Sequence, residues 1–421
     1  MFGVIVRCVA ASLMLLSLGF LVYSAVLTEN SKRFGDLRFI YVAGAAWNDG
    51  LSPYNPRVYQ QQWVETIRDI PESQRPYPND PLDNISDVES RWIAFAFPPS
   101  VAFLAKPLAS LGWQVTRIGM TALNLGAVML IVLCLHRLLD LRPSATALLA
   151  TMAFLTTATS AAIFSGQPTP IAVAGALAAL WAALAGAPVL FGLAAILALI
   201  KPQVSLLLLL FAWLQSPNRF TTAFWSISLV LLANGGALLL FGGWEGFYDD
   251  LKASLAIHTS GPFNDFANMH GFFFLFADMP RGLVQGAVVG LGLAVTAFIS
   301  IRTNFSLGLA MVSLLTVLLL PLHAGYDLLV AIPAYGYLTS YVSQMSRRPF
   351  QNASILAVTG ILGSILALVR WNNIDTLVGK VVSPAASEYL LTAVILSGIG
   401  CMIWSFRLQR NQEQSAIAGT T

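Results

Sequence analysis

TRIGMTALNLGAVMLIVLCLH, residues 116–136, is apolar at nearly every position. Coiled as a helix, about twenty such residues cross the hydrocarbon of a bilayer. Similar runs recur along the 421-residue chain, which is 57% hydrophobic and only 10% charged. A soluble globular chain carries about 25% charged residues. In hydrocarbon every backbone N–H and C=O must be satisfied within its own segment, so runs of this kind are expected to be helices. The sequence therefore reads as an all-α polytopic membrane protein.

Working outward, further spans are expected at about 145–163, 170–184, 188–200, 203–215, 220–241, 283–301, 305–321, 327–343, 351–369 and 388–406. The first run, Val4 to Leu27, exceeds the roughly 7–15-residue core of a cleaved signal and reads as an uncleaved anchor. Ala94 to Leu111 fits either a span or a re-entrant element, and 188–215 fits two half-length helices broken at Lys201-Pro202. Roughly twelve crossings result, with an uncertainty of about two. Cys8, Cys134 and Cys401 all fall within hydrophobic runs and read as small buried residues. Residues 1–408 form a single transmembrane domain on this reading, and 409–421 a disordered cytoplasmic tail.

Short loops rich in Arg and Lys set the orientation. His136-Arg137 with Arg142, Asn218-Arg219, Arg302, Arg347-Arg348, and Arg407 with Arg410 all fall on one side, which the positive-inside rule makes cytoplasmic. The opposite face collects the first large loop, 28–93, and the second, 242–282. It also takes Ser165-Gly166-Gln167-Pro168-Thr169-Pro170, Pro321-Leu322-His323-Ala324-Gly325-Tyr326-Asp327, and nearby Lys201. A site built from these islands faces away from the cytoplasm. In a bacterium that means an inner-membrane protein with its site toward the periplasm or exterior.

Several chemistries lack sequence support. The net charge of +3 is scattered, with no basic stripe for nucleic acid. No Walker sequence and no Gly-x-Gly-x-x-Gly opens a nucleotide site. Neither His-Glu-x-x-His nor paired Cys-x-x-Cys points to zinc. No Asp-x-Asp pair is present to grip a metal and a nucleotide sugar. A lipid-linked donor suits a chain that is nearly all membrane, and no cofactor is expected.

The polar segments carry an ordered series of short motifs. Gly35-Asp36, Tyr41-x-x-Gly44, Gly50-x-x-Pro53-Tyr54, Phe97-Pro98-Pro99 and Lys106-Pro107-Leu108 come first. Gly166-Gln167, the run from Gly192 to Lys201-Pro202, and His323-x-x-Tyr326-Asp327 follow. In that order, over about 34–335, the chain resembles glycosyltransferase family 87. The resemblance implies a GT-C membrane fold and a mannosyltransferase fed by polyprenyl phosphate mannose. The acceptor would be a glycolipid or glycan among the membrane lipids.

It also implies roles for particular residues. Inverting GT-C enzymes place an acidic base in the first external loop, where Asp36 stands. Burial would raise the pKa of that carboxyl, and Arg38 beside it would lower it. Capping a helix over 37–47 is the competing role for Asp36. His323 rivals it as base, oriented by Asp327 four residues on, with packing or metal ligation as alternatives. Lys201 interrupts the apolar run 194–200, where an ammonium needs a partner, and a donor phosphate fits. The bland reading of Lys201 is a side chain snorkelling to the interface. Tyr41, Tyr54, Gln167, Tyr326, and Asn268 with His270 in the second loop complete the expected substrate-binding set. A transporter or flippase of lipid-linked saccharides is the main alternative, since it too needs intramembrane charge and broken helices. A membrane scaffold with a receptor-like outer loop is a third reading.

Overall fold

A computed structural model of the chain describes residues 35–69, 94–241, 246–260, 281–319 and 326–345. Every regular element among them is helical. The outer segments contribute α1 (Gly35–Asn48), α2 (Pro56–Asp69), a 3-10 turn (Pro99–Val101) and α3 (Ala102–Ser110). The apolar body follows with α4 (Trp113–Leu138), α5 (Pro143–Leu155), α6 (Thr157–Ser165), α7 (Thr169–Leu184), α8 (Pro188–Ala198), α9 (Pro202–Gln215) and α10 (Arg219–Phe241). Then come α11 (Phe247–Ser260), α12 (Arg281–Arg302), α13 (Phe305–Leu319), a 3-10 segment (Tyr326–Ala331) and α14 (Ile332–Met345).

Proline sets many of the helix starts. Pro143, Pro170, Pro188 and Pro202 each stand in a first turn, where their missing N–H costs nothing and their φ is already helical. The expected span 145–163 is instead two helices. Met152 O still receives the N–H of Thr156, but Thr156 turns to an extended conformation and its side chain accepts from Thr159 N. That hydroxyl cap starts a new helix without a proline. Residues 188–215 break at Lys201-Pro202, and the expected span 327–343 opens as 3-10 helix before α14. Ala94 to Leu111 holds only the 3-10 turn and the nine residues of α3.

Among the described residues two helices are long and apolar enough to cross a membrane, Trp113–Leu138 and Arg219–Leu240. The other apolar helical stretches, Gly286–Arg302 of α12 among them, are 10–17 residues long. The expected spans 4–27, 351–369 and 388–406 lie outside the described residues. α10 leaves Phe220, Phe224, Ile227 and Leu231 exposed at spacings of four, three and four, which places them on one face of the helix. An uncovered apolar stripe of that length suits hydrocarbon rather than water.

The centre of the body is α7, rich in alanine and buried on most of its surface. It packs against α8, α9 and α4. A Cβ on Gly175 would stand 2.6 Å from Ala198 N and 2.9 Å from Ala194 O, so only glycine lets α7 and α8 approach this closely. Small residues at such crossings bring backbones together where lipid supplies no hydrophobic drive. A second cluster gathers the aromatic rings of the outer segments. Trp47, Tyr54, Tyr59, Trp63, Phe95 and Trp113 are buried there, with Phe39, Phe97 and Phe247 against them.

Candidate functional site

Three chain breaks meet at one place inside the apolar body. The turn between α6 and α7 carries Gln167, with Thr169 opening α7; the break between α8 and α9 carries Lys201, and the 3-10 segment carries Asp327. The Lys201 ammonium is 2.6 Å from Asp327 Oδ1, with the two residues 3% and 0% exposed. It also donates to Gln167 Oε1 at 3.1 Å and to Thr169 Oγ1 at 3.0 Å. Thr169 Oγ1 in turn donates to Asp327 Oδ1 at 2.9 Å. From α4, Asn124 Nδ2 donates to the backbone oxygen of Gln167 at 2.9 Å. Three oxygens thus surround one ammonium, which is how a charge is held where water is excluded.

The local sequence explains the convergence. Gly166 ends α6 in the left-handed conformation, φ 69°, and Pro168 and Pro170 direct the chain into α7. Lys201 precedes Pro202 with φ −136° and ψ 79°, so its side chain leaves a helix end rather than a helix flank. Polar side chains at such breaks meet the needs of a backbone that has left its ladder.

Asp36 lies half-buried in the first turn of α1, where the helix dipole favours a carboxylate. Leu37, the next residue, is fully buried against the α6–α7 turn. A Cβ on Gly166 would strike Leu37 Cβ. The helix that carries Asp36 therefore rests on the residue before Gln167. Arg38, 1% exposed, lies with its guanidinium carbon 4.2 Å from the centroid of the Trp63 ring. Asp36 is helical, within the described part of α1.

A family model, Glycosyltransferase family 87, matches residues 95–321, more than half of the chain. The chain belongs to glycosyltransferase family 87. No curated protein and no solved structure matches it. In this family 87 glycosyltransferase the match spans Asn124, Gln167, Thr169 and Lys201, while Asp36 and Asp327 lie outside it. The family and the two long apolar helices place the protein at a membrane.

Other expected site residues fall into different surroundings. Tyr54 is 1% exposed and donates its hydroxyl to Phe97 O at 2.8 Å. It packs among Trp47, Phe95 and Phe247, which makes it a keystone of the outer aromatic cluster. Tyr41 is buried edge-on against Trp113, with ring centroids 5.2 Å apart. His323, Asn268 and His270 lie outside the described residues, and of Tyr326 only the backbone is described. Tyr59, not expected as important, donates to Phe39 O at 2.9 Å. Burial raises its phenol well above the ordinary value, and Arg38 nearby opposes that shift. Among the described residues no three His, Cys, Asp or Glu side chains gather closely enough to hold a metal ion.

Asn124, Thr169 and Arg117 did not emerge from motif reading. Asn124 and Arg117 are both buried, and seven residues apart they share a face of α4. A signal existed, because an amide and a guanidinium stand within the apolar run quoted at the outset. Ionisable and amide groups at that depth mark functional or structural polar sites. Lys201, for which the sequence suggested a donor phosphate, pairs with the Asp327 carboxylate.

Proposed function

We propose that this family 87 protein is an integral membrane enzyme of roughly twelve crossings, built on the GT-C plan. It transfers a hexose, mannose on this reading, from a polyprenyl phosphate to a glycolipid or glycan acceptor outside the cytoplasm. The placement of Asp36 carries the reading: a half-buried carboxylate in the first turn of α1, seated against the turn that precedes Gln167.

The chemistry is a displacement at the anomeric carbon. Asp36 takes the proton of the acceptor hydroxyl, whose oxygen forms the new bond to that carbon. The bond from the carbon to the phosphate oxygen breaks, and polyprenyl phosphate leaves with its electron pair. Positive charge developing on the sugar ring is stabilised by nearby carboxylate and by the departing phosphate. His323 either assists Asp36 or replaces it as base, while Arg38 tunes the carboxyl. Gln167, Tyr326, Asn268 and His270 supply amide, hydroxyl and imidazole contacts to the sugars, with Tyr41 and Tyr54 shaping the wall behind them. No cofactor enters this scheme.

A transporter of lipid-linked saccharides shares one feature with the structure, the helices interrupted at a buried charge. Purified protein in detergent, radiolabelled polyprenyl phosphate mannose and a membrane lipid extract separate the two. Wild type is expected to give a labelled product, with Asp36→Asn and His323→Ala giving far less at equal folding. Failure of wild type with several polyprenyl-linked sugars would overturn the enzyme reading in favour of the transporter.

A further inference from the structure

The Lys201 ammonium is already surrounded. Asp327, Thr169 and Gln167 supply three oxygens at 2.6, 3.0 and 3.1 Å, and Asp327 is fully buried. A donor phosphate reaching Lys201 would have to displace a carboxylate that has no exposure to water. We propose that Lys201 and Asp327 are a positioning pair, holding the catalytic carboxylate in place through the Gly166-Gln167 turn rather than meeting the donor. The inference rests on glycosyl transfer with Asp36 as base.

The path is short and continuous. Lys201 holds the side chain of Gln167, and Asn124 holds its backbone oxygen, so the turn is fixed both from α4 and from the α8–α9 break. Gly166 in that turn supports Leu37, which follows Asp36 in α1. Thr169 bridges both charges, donating to Asp327 while accepting from Lys201. The same carboxylate ties the 3-10 segment 326–331 to the break between α8 and α9. Removing one charge of such a pair leaves the other buried and uncompensated. Replacing both with apolar groups of similar size is commonly tolerated. A residue that binds the donor phosphate would behave differently, because no second substitution could restore its contact.

The test is a double-mutant cycle on full-length protein in detergent, using Lys201→Met, Asp327→Leu and both together. Radiolabelled polyprenyl phosphate mannose is the donor, and kcat per folded molecule, donor KM and thermal unfolding are measured for each. Each single change is expected to lower kcat about tenfold or more with donor KM unchanged, and the double variant, in which Gln167 still lacks its donor, to lose clearly less than the two single losses combined. Thr169→Val keeps both charges and serves if a single variant fails to fold, with a smaller expected loss that Thr169→Ser restores. A raised donor KM in Lys201→Met that persists in the double variant would overturn the proposal. So would kcat per folded molecule staying at the wild-type level in every variant, which would make the pair purely structural. Should wild type transfer no sugar, the enzyme reading fails first and positioning of its base falls with it. The charge pairing is still judged by unfolding, and singles that add simply in the double variant would refute it as well.

Discussion

Gly44 shows how one hydrogen in place of a methyl can fix an approach. A Cβ there would strike the carbonyl oxygen of Ala105 and come within 2.7 Å of Ala109 Cβ, so α1 and α3 lie backbone to backbone. Gly44→Ala is expected to lower stability by about 1–3 kcal/mol through overpacking, read as an earlier thermal transition in detergent. An unchanged transition would show that the two helices can part freely. At this scale the sequence disclosed the polar residues but not their partners. Gln167, Lys201 and Asp327 stand out because each is polar amid hydrocarbon. That Lys201 bonds Asp327, 126 residues away, leaves no local trace. The four-residue spacing suggested His323 as a neighbour of Asp327, and His323 lies outside the described residues. Thr169 was hidden by its ordinariness between two prolines.

Helix boundaries were legible wherever proline or glycine enforces them. The starts at Pro143, Pro188 and Pro202 and the stop at Gly166 follow from ring geometry and from a left-handed φ. The break at Thr156 was not legible, since a threonine inside an apolar run reads as helix until its hydroxyl is seen capping the next segment. The α6–α7 turn is the element on which the active-site proposal leans. Gly166→Ala adds a methyl at φ 69° and drives it against Leu37. Left-handed backbone alone costs a non-glycine residue about 1 kcal/mol or more. The variant is expected to lose sugar transfer per folded molecule by a larger factor than it loses yield, because α1 and Asp36 must shift. Full turnover in a folded Gly166→Ala protein would detach Asp36 from the turn.

Seen whole, the described chain joins a lipid-suited helical body to an aromatic cap. The all-α class came from composition and the length of apolar runs. The cap was less readable, because its segments are separated by long stretches and its order comes from ring packing. Its tyrosines give the protein an alkaline limit. Burial raises the phenols of Tyr54 and Tyr59 above 10.0, so the folded protein retains protons that the unfolded chain would release. The stability these groups add is complete below pH 10.0 and falls as pH rises beyond it toward the folded values. Wild type is expected to lose thermal stability steeply over that range, and Tyr54→Phe with Tyr59→Phe to show a shallower decline. Equal slopes would mean the phenols ionise without unfolding the cap.

The cap also joins distant parts of the chain by hydrogen bonds. Asn55 Nδ2 donates to Asp250 Oδ1 at 3.2 Å across a separation of 195 residues, and Ser254 Oγ donates to Tyr54 O at 2.7 Å. The segment that leads into α2, together with α11, is therefore a single unit for sequence drift. A lineage that exchanges Asn55 for an acidic residue sets two carboxylates face to face, and position 250 must change with it. Natural variation around residue 55 is expected to be recorded around residue 250, however far apart they stand in the chain.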